Sequence, residues 1–132
     1  MGKLRQALLE RLEGDIPGFV ARSGKELAGA VWCKPWCHDD ALPADRRGRS
    51  AYEVFNLFTV PQARGKGIAQ MLLLFAMESM AQRGKTVAFS FIFPHRVGSI
   101  VAHERVGFRK VGVMTFGAFL GRRYSRLDAS AV

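Results

Sequence analysis

The chain is poor in most of what would make it a secreted, fibrous or membrane-spanning protein. Cysteine occurs only at Cys33 and Cys37 in 132 residues. That is too few for a disulfide framework, and it suits a reducing cytoplasm. Long apolar runs are missing: the longest, 71–77, falls well short of the roughly 18 residues a membrane span needs and belongs to a core instead. The first residues alternate charged with apolar side chains, unlike the uninterrupted apolar region of a signal peptide, and Gln6 breaks the myristoylation pattern. Neither internal repeats nor low-complexity tracts occur. Acidic residues are scarce, 11 against 20 Lys and Arg, leaving a net charge of +9. That imbalance concerns partners rather than fold, and it points to nucleic acid, an acidic surface or a polyphosphate-bearing molecule. What is present fits a single globular domain over 1–132, long enough to bury a core without disulfide or metal.

Apolar spacing at Leu4, Leu8, Leu9 and Leu12, closed by Gly14, predicts a short amphipathic helix over 4–12. Strands over 19–22 and 27–32, joined at Ser23-Gly24, predict a hairpin. Residues 33–50 carry prolines, aspartates and arginines without apolar periodicity and read as a long loop. The run 51–60, rich in aromatic and β-branched residues, reads as a strand ending at Pro61. Residues 68–83 lack proline and glycine, stop at Gly84 and read as a helix whose broad apolar surface is buried. The nearly continuous apolar run 86–93 predicts a strand covered on both faces. A helix over 97–106, closed by Gly107, and strands near 109–116 and 122–127 complete a mixed α/β sheet with helices on its faces.

Between the strand and the long helix lies Ala63-Arg64-Gly65-Lys66-Gly67-Ile68-Ala69. A P-loop requires Ser or Thr after Gly-Lys, but Gly67 follows Lys66. A dinucleotide fingerprint requires a third glycine where Gln70 stands. What remains is a glycine turn opening a helix, with backbone N–H groups, the helix N-terminus and the charges of Arg64 and Lys66 converging on one place. Such a turn suits a pyrophosphate. It also suits a plain connection whose glycines permit close packing.

The segments LFTVPQARGKGIAQMLL and, after a buried strand, SIVAHERVGF together resemble the GNAT superfamily of acyl-CoA-dependent N-acetyltransferases. The first is similar to its Q/R-x-x-G-x-G/A motif and the second to its helix ending in Gly-Phe. The resemblance spans 51–112, and reaches 19–32 only as a strand pair. It implies a mostly antiparallel central sheet flanked by helices, with a shortened N-terminus, and acetyl-CoA as cosubstrate. It also implies that Arg64, Gly65, Lys66, Gly67, Ile68 and Ala69 bind the coenzyme pyrophosphate, and that Phe58 and Thr59 hold the pantetheine arm where two strands splay. Where relatives often carry an asparagine, this chain has Arg96, which the resemblance places to bind the coenzyme by approaching phosphate.

Acetyl transfer needs a neutral amine, donors for the carbonyl oxygen and a proton for the departing thiolate. Glu53, 11 residues before Arg64, stands where histone-acetylating members carry a general base; it is also open to reading as an outward-facing strand residue. His103 stands where many relatives have a tyrosine that protonates the thiolate, and it is equally open to a structural role. Cys33, Cys37, His38, Asp39 and Asp40 lack the second ligand pair of a structural zinc site, so no metal is expected. Their aspartates would attract a cationic amine, although Arg46, Arg47 and Arg49 dilute that field. The acceptor is not specified by these residues. With only about 17 residues before Phe19, the resemblance implies an incomplete acceptor wall that a second subunit covers, hence a homodimer. Two other readings stay open. One is a small basic nucleic-acid-binding domain, supported by the charge and by Arg122, Arg123 and Tyr124 but opposed by the dispersal of basic residues. The other is an inactive CoA-binding relative.

Overall fold

Strand pairing, more than local spacing, decides the first half of the chain. A computed structural model describes residues 7–12, 16–36, 50–119 and 122–128. Three strands, β1 (Ala7–Leu12), β2 (Gly18–Ser23) and β3 (Glu26–Pro35), form an antiparallel meander. Gly24, at φ 63°, permits the tight reversal between β2 and β3 that the sequence predicts. Continuing antiparallel against β3 is β4 (Ala51–Thr59), and β5 (Val87–Phe89) joins parallel to β4, giving the order β1-β2-β3-β4-β5. The sheet is therefore mixed and mostly antiparallel, as expected. A hairpin of β6 (Val113–Phe119) and β7 (Arg122–Asp128) makes a separate two-stranded sheet.

Two expectations are corrected. In place of the helix over 4–12, Ala7–Leu12 is a strand, in unbroken register with β2 from Ala7↔Ser23 to Leu12↔Gly18. A helix this short is marginal without tertiary support. The open edge of β2 offers a full ladder of backbone partners instead. The strand expected over 86–93 shrinks to Val87–Phe89, because β5 pairs with β4 only at Ala51↔Val87, Tyr52↔Ala88 and Glu53↔Phe89 before the two diverge. Nor is its apolar run covered on both faces: Phe93 is 70 % exposed. Of the loop expected over 33–50, residues 33–35 extend β3, and 37–49 lie outside the described residues.

After a single 3-10 turn at Pro61–Ala63 comes α1 (Ile68–Gln82), and α2 (Val97–Arg105) follows β5. Helix α1 lies on β2, β3 and β4 and meets α2. Its buried residues Ile68, Leu72, Leu73, Ala76 and Met80 recur at helical spacing and pack on Phe19, Ala21, Val31, Cys33 and Val54 of the sheet. Phe19 meets Phe75 edge to face at 5.7 Å. Leu74 is 53 % exposed, so one face of α1 is open rather than buried. Strands β3 and β4 approach α1 closely at Gly29, where an added Cβ would stand 2.6 Å from the Phe58 carbonyl oxygen and 3.1 Å from Leu72 Cδ1. Both helices end as their glycines predict. Gly84 (φ 80°) and Gly107 (φ 103°) are left-handed, and each chain reversal returns two N–H groups to the last turn.

Candidate active site

The site begins with one extra residue in β4. Trp32 faces Phe55 and Ala30 faces Phe58, so Asn56 and Leu57 together oppose Val31. Asn56 absorbs this bulge at φ 53°, a left-handed conformation that asparagine tolerates better than the branched and aromatic residues around it. An asparagine inside VFNLF is a weak sequence signal of such a break. β4 and β5 stop pairing at Glu53↔Phe89, three residues before the bulge. Between them opens a cavity of about 270 Å³, lined by β4 from Glu53 to Leu57, by Ser90 to Phe93, by Lys34 of β3 and by Arg96, Ser99 and His103. Ser90 Oγ donates 3.1 Å to the Val54 carbonyl oxygen across the opening.

Glu53 and His103 are the buried charged or polar side chains of this region, at 7 % and 3 % exposure. Glu53 thus faces inward, toward the cavity. Its Oε1 lies 3.9 Å from Lys34 Nζ, which also sits 4.7 Å from the Phe55 ring centre. Lys34 was not singled out by sequence reasoning, since a lone lysine in a strand carries no pattern.

The position of His103 follows from the end of its helix. Its carbonyl accepts the Phe108 N–H at 3.1 Å as the chain turns at Gly107, and its ring meets Phe108 edge to face at 4.9 Å. One turn earlier, the Ser99 carbonyl oxygen lies 2.7 Å from Nδ1. A carbonyl only accepts, so Nδ1 carries the hydrogen, and in the neutral ring Nε2 is a bare acceptor. Nε2 is buried and has no hydrogen-bond partner among the described residues. Burial pushes the His103 pKa below its usual value, and the Ser99 hydrogen bond acts in the opposite sense.

At the far end of β4 the glycine turn is open. Gly67, the N-cap of α1, has φ 78°, and Gly65 has φ 77°. A Cβ at either would meet nothing within 4 Å. Gly67 has no side chain to cap the helix, so the first-turn N–H groups face outward without intrahelical partners. Arg64 Nε donates 3.2 Å to the Thr59 carbonyl, and Lys66 Nζ donates 3.1 Å to that of Gln62, which folds both cations back over the turn.

Set beside known sequences, residues 3–108 match the model of the acetyltransferase (GNAT) family. The chain belongs to the GNAT family. Over 94 residues it is 27 % identical to rat (Rattus norvegicus) N-acetyltransferase 8B, covering 71 % of this chain and 40 % of the relative, so it spans about two fifths of that protein's length. Among solved structures, ribosomal-protein-alanine N-acetyltransferase from Brucella melitensis is similar with a TM-score of 0.61 and 24 % identity, covering 85 % of this chain and 65 % of the other. Aminoglycoside N-acetyltransferase AAC(6')-Iy in complex with CoA has a TM-score of 0.67 and 17 % identity, covering 81 % and 78 %. At these identities the structural likeness concerns the fold.

Within this GNAT fold, Glu53, Arg96 and His103 come together in one cavity. Phe58, Thr59 and the segment Arg64 to Ala69 stand apart from its lining, further along β4 and past its end. Glu53 and Thr59 are six positions apart, a rise of roughly 20 Å along a strand. Among the described residues no group of three His, Cys, Asp or Glu is placed to hold a metal ion. Cys37, His38, Asp39 and Asp40 lie outside those residues. Among the described residues no helix is long and apolar enough to cross a membrane.

Proposed function

We propose that the chain transfers an acetyl group from acetyl-CoA to a primary amine. The observation that carries this reading is the arrangement along β4. An open, left-handed glycine turn at a helix N-terminus stands at one end, and a cavity holding a buried carboxylate and a buried imidazole stands toward the other. The pyrophosphate of the cosubstrate would be held by the backbone of Gly65, Gly67, Ile68 and Ala69, with Arg64 and Lys66 adding charge. Phe58 and Thr59 would guide the pantetheine arm toward the bulge at Asn56, and Arg96, at the N-cap of α2, would approach phosphate.

In the cavity, Glu53 would take the proton that a protonated amine must lose before it can attack, directly or through one water. The reading includes the cytoplasm as location, supported by the free thiol of Cys33. It also includes a homodimer in which a second copy covers Phe93, Val97 and Val101, which are exposed beside the cavity.

The test is a thermal-shift series with acetyl-CoA, other acyl-CoAs and an oligonucleotide, because a ligand that binds the native state raises its melting temperature. Acetyl-CoA should raise it and the oligonucleotide should not. Stabilisation by the oligonucleotide alone, with a steep loss as salt is added, would mean a nucleic-acid-binding domain instead. A panel of primary amines then separates an enzyme from a coenzyme-binding relative without turnover.

A further inference from the structure

The acid role that the family resemblance suggests for His103 does not fit the ring as it stands. An acid must hold a proton on the nitrogen that faces the reaction, and here the helix has committed the proton to the other nitrogen, at Ser99. The remaining nitrogen is an acceptor, shielded from water and without a partner among the described residues, in a residue that lines the cavity. A buried acceptor of this kind calls for a donor, and one in a residue that lines the cavity can receive it from a bound ligand.

Resting on the acetyl-transfer reading above, we propose that His103 Nε2 acts as a proton shuttle within one turnover, first accepting the proton of the attacking amine and then returning it to the departing sulfur. The neutral amine attacks the thioester carbonyl carbon, forming the C–N bond and an oxyanion. Its surplus proton passes to Nε2, and the ring becomes an imidazolium, with Nδ1–H still donating to Ser99. The C–S bond then breaks with its electron pair on sulfur, and Nε2–H gives the proton to that sulfur. The products are an amide and a thiol, and the imidazole is again neutral.

Glu53 has a separate task, removing the first proton of an amine that arrives as ammonium. The burial that disfavours a charged His103 at rest also keeps the transient imidazolium a strong acid toward sulfur. The ionisable groups that share the cavity with it are Glu53 of β4, Lys34 of β3 and Arg96 at the start of α2, whereas Glu104 and Arg105 beside it on α2 are exposed. Since Nε2 is shielded in the free chain, contact with sulfur requires the cavity wall to yield as the cosubstrate enters.

The first test needs no knowledge of the amine. In the 132-residue chain with 15N-labelled histidine, the substitutions His38→Gln and His95→Gln assign the remaining signal to His103 without touching it. Above about pH 6.5 the free chain should show the neutral Nδ1–H tautomer. Coenzyme A should shift the Nε2 signal, and desulfo-coenzyme A, which keeps the phosphates and lacks the sulfur, should leave it in place. An Nε2–H tautomer, equal shifts from both compounds, or an unmoved Nε2 with coenzyme A bound would each overturn the shuttle alone. Binding of neither compound would overturn the acyl-CoA reading beneath it. With an amine from the acceptor panel, His103→Ala should lose about 10²-fold or more in turnover and regain part of it with added imidazole. A folded His103→Ala protein with full activity, or one that imidazole does not rescue, would also overturn the proposal.

Discussion

A neutral imidazole with a buried nitrogen that lacks a partner among the described residues is a destabilising element, of order 1–3 kcal/mol for an unsatisfied buried acceptor. It also couples stability to pH. Because His103 is held below its usual pKa in the fold, the unfolded chain takes up a proton near about pH 6.5 that the folded chain refuses. Stability from this residue is therefore complete above that pH and declines as the pH falls below it. Urea midpoints measured at pH 7 and pH 5 should separate more for the native chain than for His103→Phe, and equal separations would assign the acid sensitivity to other groups. For Glu53 the expectation is catalytic. Glu53→Gln preserves size and burial, so acetyl-CoA affinity should hold while turnover at neutral pH falls about 10²-fold or more. The deficit should shrink toward pH 10, where more of the amine is already neutral. A constant deficit at all pH values would mean that the carboxylate, 3.9 Å from Lys34, only positions the amine.

At the scale of elements, the turn and the strands make opposite demands on glycine. Gly67 faces open space in a left-handed conformation. Gly67→Val therefore adds strain of roughly 1–2 kcal/mol and also fills the place where the phosphates would lie, so acetyl-CoA affinity should fall much further than folding stability. Gly29 is closed in, and Gly29→Ala should cost about 1–3 kcal/mol as an overpacked core site with little change in affinity for the chain that still folds. Calorimetric titration alongside denaturation distinguishes the two cases.

The elements also show what could be read beforehand. The glycine turn, α1 and the β2–β3 hairpin announce themselves locally, through Gly65 and Gly67, the proline-free stretch closed by Gly84, and Ser23-Gly24. Strand β1 and the short β5 do not, since each depends on how far a distant partner runs beside it. The cavity was legible only in part. Glu53, Arg96 and His103 could be proposed only through the family resemblance, and the tautomer of His103 and the Lys34 ion pair depend on packing that no short pattern encodes.

At the scale of the whole molecule, charge and exposed apolar surface meet. With a net charge of +9 the chain repels copies of itself at low salt, so a dimer formed through Phe93, Val97 and Val101 should strengthen as salt screens that repulsion. Sedimentation at 50 and 300 mM salt should show more dimer at the higher value; a monomer at both at micromolar concentration would remove the homodimer from the functional reading. The core of the molecule also determines how the proposed acetyl transfer could be watched. Cys33 is fully buried beneath α1, and burial pushes its thiol up to about 12, so at assay pH it offers neither access nor thiolate to an electrophile. A disulfide reagent should therefore count at most one of the two cysteines in the native chain and both after denaturation. Colour beyond one equivalent per chain that develops with cosubstrate and amine present can then be credited to newly released thiol, which makes the protein compatible with continuous chromogenic detection without any cysteine-free variant.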